Sequence, residues 1–160
     1  MSDHVHTKKH SLHIHCDLCK ETVTYRLTDE IHEQIKSHAT YFPYPIFFHH
    51  KDHFLFAYVD KSMKNARETL SIPFKLKIIG CESCPDPKDG FQYKSKNLNF
   101  VFEKDKDYQK LEKYSKTCDK AKKIPVYVSD GDNHWLIFMD NELKVVSITH
   151  STLFFEIETL

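Results

Sequence analysis

The stretch PIFFHHKDHFLFAYVDKSMK (residues 45–64) occurs again in related form 80 residues later, as PVYVSDGDNHWLIFMDNELK (residues 125–144). Extended to 45–68 and 125–148, the segments align without a gap, with four identities in 24 positions. Each begins with proline and a short apolar run, followed by a polar turn and a second, almost wholly apolar run. This pattern predicts a β-hairpin whose second strand is covered on both faces. The repeat therefore predicts duplication of one structural unit.

Each half also carries a Cys-x-x-Cys pair upstream of its hairpin block, Cys16 with Cys19 and Cys81 with Cys84. The pairs lie 65 residues apart and the blocks 80 apart, so the second half contains 15 extra residues, which we assign in part to a polar inserted loop, 85–97. Two residues between cysteines allow both thiolates to reach one ion. We expect these four cysteines to bind one structural Zn²⁺ shared between the halves.

The sequences around the cysteine pairs are IHCDLCKE (14–21) and IGCESCPD (79–86). Both resemble the knuckles of zinc-ribbon proteins, and the resemblance covers these knuckles only. It implies that the cysteines are metal ligands.

An alternative metal site combines Cys16 and Cys19 with His53 and either His49 or His50, as a Cys2His2 set. The aligned stretch of the second half, SDGDNHW, contains a single histidine, so that half cannot form a matching site. Redox dithiols are a third interpretation, but these usually lie at a helix N-terminus. Strands are predicted after both cysteine pairs, which favours metal binding.

Hydrophobic periodicity predicts the order β-knuckle-β-α-β-β-β in each half. Helices are expected at 29–39 and 107–122, where acidic residues at the start suit the helix dipole. Third strands are expected near 63–67 and 143–148. The predicted class is α+β, with two tandem repeats packed as one pseudo-twofold body around the shared zinc.

The predicted domain organisation follows from the same repeat. The C-terminal apolar segment has three possible roles: an edge strand, a cover for an apolar surface, or a contact with another subunit of a homodimer. The predicted divisions are a flexible His-rich N-terminus (1–11), repeat 1 (12–72), repeat 2 (73–149) and the C-terminal segment (150–160).

Composition restricts the classes of partner. Lys plus Arg equals Asp plus Glu at 23 each, so no overall field attracts nucleic acid or an anionic membrane. The sequence has no apolar run of about 18 residues and no signal-peptide core. We therefore expect a cytoplasmic protein without membrane association. In a reducing cytosol, paired cysteines are metal ligands more often than disulfides.

The chain contains 12 histidines but only three glycines, and no phosphate-binding loop or nucleophile motif. Alternation places His13 and His15 opposite apolar neighbours, as partly exposed strand residues. The predicted function is a non-catalytic, zinc-stabilised module that mediates protein–protein interaction. One alternative is a nucleic-acid-associated zinc protein that uses the lysines and aromatic residues of 85–97. The other is a small metalloenzyme that uses the His49–His53 region.

Overall fold

The computed structural model describes residues 10–78, 90–94, 99–119 and 122–157. Within these residues strands predominate and two helices are present, which confirms the predicted mixed α+β class. Neither described helix has the length and apolar character of a membrane span. In chain order the elements are β1 (His10–Cys16), β2 (Glu21–Leu27), α1 (Asp29–His38), β3 (Tyr44–His50), β4 (His53–Val59), β5 (Leu70–Ile72), β6 (Phe74–Lys77), β7 (Gly90–Lys94), β8 (Asn99–Glu103), α2 (Lys106–Thr117), β9 (Ile124–Asp130), β10 (Asn133–Met139), β11 (Val145–Ser151) and β12 (Phe154–Glu156).

The chain divides into two compact units. The first comprises Met1–Ser71 together with Ser151–Leu160, and the second comprises Ile72–His150. In the first unit, β3 and β4 form an antiparallel hairpin within a sheet of order β12-β3-β4-β5. Side chains on both faces of β3 and β4 are buried, which confirms the prediction that the second apolar strand is covered on both faces.

The hairpin of β1 and β2 and the helix α1 contribute to the core of the first unit. Leu12 and Ile14 of β1 alternate with exposed histidines and, like Ile35 of α1, are fully buried. Thr28 caps α1, because its side-chain oxygen accepts a hydrogen bond from the Ile31 amide at 3.2 Å. The amphipathic patterns of strand and helix thus bury their apolar sides in the same core.

The C-terminal segment is the edge strand of the first unit's sheet, one of the three roles considered for it. Strand β12 pairs in parallel with β3. The Phe47 amide donates to the Leu153 carbonyl at 3.1 Å, and the Ile157 amide donates to the His49 carbonyl at 2.9 Å. Ser151 Oγ donates to the Pro45 carbonyl at 2.6 Å. The last described residues therefore complete a sheet that begins more than 100 residues earlier.

The second unit contains a sheet of order β11-β10-β9-β6, in which β6 pairs in parallel with β9. Asp105 caps α2 by accepting from the Tyr108 amide at 3.1 Å. A separate hairpin pairs β7 with β8. Strand β7 lies inside 85–97, so the interpretation of that whole stretch as a loop is wrong. The alternation of Phe91 and Tyr93 with polar residues is the strand signal that the turn-forming residues obscured.

Matching turns follow β4 and β10, at Asp60 and Asp140. Asp60 Oδ1 accepts from the amides of the second and fourth following residues at 2.8 and 3.0 Å, and Asp140 Oδ1 does so at 2.9 Å for both. Met63 and Leu143 both have φ of 62°, in the left-handed region. Their buried side chains offset a conformational cost of about 1–2 kcal/mol.

The third strand of the first unit was predicted too early. Residues 63–67 follow the Asp60 turn and contribute only an isolated bridge between Asn65 and Val59, whereas β5 begins at Leu70. The left-handed Met63 cannot itself belong to an extended strand, but Leu143 has the same conformation and β11 still begins at Val145, so the later start of β5 is a property of residues 64–69.

We predict that Leu153→Ala destabilises the first unit by about 2–5 kcal/mol, because the side chain is 4% exposed and lies in that unit's core. The matched control is Val146→Ala in β11, where the side chain is 50% exposed and the expected change is within about 0.5 kcal/mol. Urea unfolding followed by circular dichroism measures both. Equal stability of the two variants would contradict a stabilising role for the C-terminal strand.

Candidate metal centre

Strand β1 ends at Cys16, and a tight turn leads to β2. The Lys20 amide donates to the Cys16 carbonyl at 2.8 Å, and Lys20 has a φ of 59°. The Cys19 amide points toward Cys16 Sγ, at 3.4 Å. The Cys-x-x-Cys spacing therefore directs both thiols to the same side of the turn, with a backbone amide as an additional donor to sulfur.

The turn between β3 and β4 supplies two imidazoles. His50 and His53 are directly paired across the hairpin, which leaves a two-residue turn of Lys51 and Asp52. Lys51 has a φ of 58°, the left-handed conformation typical of two-residue hairpin turns. The two rings have centroids 5.2 Å apart and are perpendicular. Because the turn fixes the register, the two histidines are neighbours across the hairpin and their rings are in contact.

These two turns bring four potential ligand atoms together. His53 Nε2 lies 2.9 Å from Cys16 Sγ and 3.4 Å from Cys19 Sγ, and His50 Nδ1 lies 3.9 Å from Cys19 Sγ. All four ligand atoms lie within 4.8 Å of one another. Ligands of a tetrahedral zinc ion, at bond lengths of about 2.0–2.3 Å, are separated by about 3.5 Å. The cluster therefore has the composition and spacing to bind a metal ion.

The cluster is enclosed by protein. Cys16 is fully buried, His50 is 2% exposed and His53 is 5% exposed, while Cys19 is partly exposed. Burial raises the pKa of the Cys19 thiol, and the neighbouring Cys16 adds to that effect. Burial also lowers the pKa of His50, an effect reinforced by His53 and Lys51. A neutral imidazole is the ligand form of histidine, and a bound cation would deprotonate the thiols.

Carboxylates lie near the ring nitrogens that face away from the sulfurs. Asp52 Oδ1 is 3.0 Å from His53 Nδ1, and Glu21 Oε1 is 3.6 Å from His50 Nε2. A carboxylate only accepts hydrogen bonds, so the contact with Asp52 requires a hydrogen on His53 Nδ1, and in the neutral ring Nε2 then has the lone pair that a metal ion would need. Lys51 Nζ in turn donates to Glu21 Oε1 at 3.3 Å.

The structure brings together two of the four cysteines predicted as ligands and the two histidines of the alternative set. Cys81 and Cys84 lie outside the described residues, so the shared four-cysteine site stays a prediction. His49 is directed elsewhere, since its Nδ1 lies 2.8 Å from Glu156 Oε2.

Two further predictions concern histidines outside the cluster. His13 and His15 are exposed on β1, as predicted, beside threonine hydroxyls of β2. In the second unit, Asp130 and Asn133 form the pair that closes the β9–β10 hairpin, at the positions equivalent to His50 and His53. This difference explains why the described cluster has no imidazole counterpart there.

The second unit instead contains a buried Tyr–His pair. Tyr127 Oη lies 2.7 Å from His134 Nδ1, and His134 is 9% exposed. Burial lowers the pKa of His134, although Asp132 partly opposes the shift. Burial also lowers the pKa of His150. The positions aligned with Tyr127 and His134 in the first unit are Phe47 and Phe54, so this polar pair belongs to the second unit alone.

Comparison of the chain with protein-family models, with curated proteins and with solved structures found no match. The chemistry of the site therefore rests on its own geometry.

We predict that Cys81→Ser/Cys84→Ser retains the metal equivalent bound by the first unit, whereas His50→Ala/His53→Ala loses it. The reason is that the described ligand atoms come from Cys16, Cys19 and the two histidines. Metal content per chain after purification without added chelator measures the outcome. The opposite pattern would support the four-cysteine site, and loss in both variants would contradict independence of the first unit.

We predict that the second unit loses stability as the pH falls from 7 to 5. A histidine whose folded-state pKa is lowered binds fewer protons than in the unfolded chain, so its contribution is present above the unfolded pKa of about 6.5 and is lost on acidification. Tyr127→Phe/His134→Phe, which copies the first unit, should weaken this dependence. Urea unfolding followed by the fluorescence of Trp135, the only tryptophan, reports on this unit.

The control for this measurement is His15→Gln, at an exposed position of the other unit. It should leave the pH dependence of the Trp135 transition unchanged. A double variant with the full wild-type pH dependence would show that His134 is not the responsible group.

Proposed function

We propose that this chain is a non-catalytic, zinc-stabilised binding module, with Zn²⁺ bound by Cys16, Cys19, His50 and His53. The observation that carries the proposal is the enclosed cluster of four protein ligand atoms. Structural zinc sites use four protein ligands, whereas catalytic sites keep one position for water or substrate. Four converging side chains leave no such position, which favours a structural role over a metalloenzyme.

The ligand types support zinc over other cations. Two thiolates with two imidazoles in tetrahedral spacing are a typical zinc set, whereas magnesium and calcium prefer oxygen ligands. Two thiolates also neutralise the charge of Zn²⁺, so the bound site can be buried without a net charge. The ion would connect the β1–β2 hairpin to the β3–β4 hairpin, which lie far apart in sequence.

The proposal includes duplication of one structural unit. In its support, the two hairpins keep the same register at an offset of 80 residues, with Tyr44 opposite Val59 and Ile124 opposite Met139. The turns at Asp60 and Asp140 have the same backbone hydrogen bonds. Two unrelated hairpins would not need to be followed by the same turn, so this match favours duplication. The second copy then lost, or never acquired, the imidazole pair.

We propose that the ligand of this module is another protein. The equal numbers of acidic and basic residues argue against a general affinity for polyanions. Leu18, between the two cysteines of the knuckle, is 48% exposed. An apolar side chain that a metal-bound turn exposes to solvent is suited to contact another protein, and the strength of that contact would depend on the metal.

Metal removal tests the structural role. Chelation should lower the unfolding temperature and remove hydrogen-exchange protection from β1–β4, because structural zinc contributes on the order of 10 kcal/mol in small zinc domains. The Trp135 signal of the second unit provides the internal reference. Cys16→Ser should behave like the chelated wild type. Unchanged stability after complete metal removal would contradict a structural site.

A photoreactive amino acid in place of Leu18 tests the contact. We expect a specific crosslinked protein that survives nuclease treatment and is lost when Cys16→Ser is added. A crosslink that disappears with nuclease would favour a nucleic-acid partner, and a crosslink insensitive to Cys16→Ser would contradict the role of the metal.

A further inference from the structure

We infer that Asp52 and Glu21 are positioning residues of the metal centre, and that His53 and His50 bind the ion through different ring nitrogens, Nε2 and Nδ1. This inference rests on the proposed zinc site. It assigns functions to two acidic residues outside the ligand set and a specific tautomer to each histidine.

The His53 arrangement follows from the hairpin turn. Asp52 immediately precedes His53, and its Oδ1 lies 3.0 Å from Nδ1, while Nε2 faces both sulfurs. A hydrogen bond from the outer nitrogen to a carboxylate fixes the tautomer, holds the ring plane and makes the metal-facing nitrogen more basic. The pair therefore has the form carboxylate–histidine–metal.

The His50 arrangement is the reverse. Its Nδ1 lies 3.9 Å from Cys19 Sγ, and its Nε2 lies 3.6 Å from Glu21 Oε1. Glu21 begins β2, directly after the cysteine turn, and Lys51 holds the same carboxylate oxygen at 3.3 Å. A shortening of a few tenths of an ångström gives an ordinary N–H···O bond. Glu21, which follows the turn that carries the two cysteines, thus positions His50, which lies at the turn between β3 and β4.

The solvent exposure of the two carboxylates determines how strongly each should affect zinc affinity. The Asp52 side chain is 98% exposed and the Glu21 side chain is 49% exposed. Water screens such charges, so each effect should lie at the lower end of the 10- to 100-fold range known for outer contacts to metal ligands. We expect zinc affinity to fall by about tenfold in Asp52→Ala and in Glu21→Ala.

The second unit provides matched controls. Asp132 occupies the position aligned with Asp52, but Asn133 follows it in place of histidine. Glu142 is an exposed carboxylate bound to Lys144 at 3.3 Å, comparable to the Glu21–Lys51 pair. Asp132→Ala and Glu142→Ala remove the same charges without altering the cluster, so their zinc affinity should match the wild type.

The experiment is a competition titration of Zn²⁺ against a chromophoric chelator under reducing conditions, with Cys16→Ser as the reference for a damaged site. Wild-type zinc binding that is lost in Cys16→Ser, together with tenfold weaker binding in Asp52→Ala and Glu21→Ala, supports the inference. Affinities within twofold of the two controls would overturn it while leaving the proposed zinc site intact. Failure of the wild type to bind zinc, or binding unaffected by Cys16→Ser, would instead refute the proposed site.

The tautomers have an independent readout that a purely structural effect does not change. Long-range ¹H–¹⁵N correlation spectra of the zinc-loaded protein should show a hydrogen on His53 Nδ1 and on His50 Nε2. Coordination of both histidines through the same nitrogen would overturn the inference. In Asp52→Glu, which keeps the carboxylate, affinity should recover relative to Asp52→Ala.

Discussion

The tight turn between β3 and β4 is the constraint on which the rest of the candidate site depends. A two-residue turn, with Lys51 in the left-handed conformation, sets the register of the hairpin and makes His50 and His53 direct partners. A shift of one residue would move every side chain of a strand to the opposite face. The same register buries both faces of the two strands, so the packing that stabilises the core also holds the imidazoles against the thiols.

The sheet of the first unit is built from strands that lie far apart in the sequence. Strand β3 lies between β4, which follows it at once, and β12, which comes from the end of the chain. Strand β6 holds the corresponding place beside β9 in the second unit, where it precedes its partner in sequence. Each hairpin thus has a parallel strand on its free side, which reduces the exposure of unpaired backbone groups. Only the source of that strand differs between the units.

Local patterns predicted much of this fold. The proline-bounded apolar runs identified β3, β4, β9 and β10, and hydrophobic periodicity located both described helices, although α2 ends at Thr117 and not at residue 122. Two features of the fold cannot be predicted from the sequence, because one has only a weak local pattern and the other depends on residues far apart in the chain. The chain turns at the left-handed Met63 and β5 begins only at Leu70, yet no glycine marks the turn. The pairing of β12 with β3 joins segments separated by more than 100 residues, which a linear pattern cannot specify.

The ligand set illustrates the same limit at the level of chemistry. Cysteine spacing alone identified Cys16 and Cys19, but two partner sets were compatible with it, and the choice depends on which turn lies over the knuckle. In the described part of the chain that turn carries His50 and His53, whereas the aligned turn of the second unit carries Asp130 and Asn133. The two aligned hairpins therefore present different side chains at equivalent positions. Under the proposed duplication, a metal site formed by the first unit's own hairpins would leave the aligned positions of the second unit free to differ, as at Tyr127 and His134.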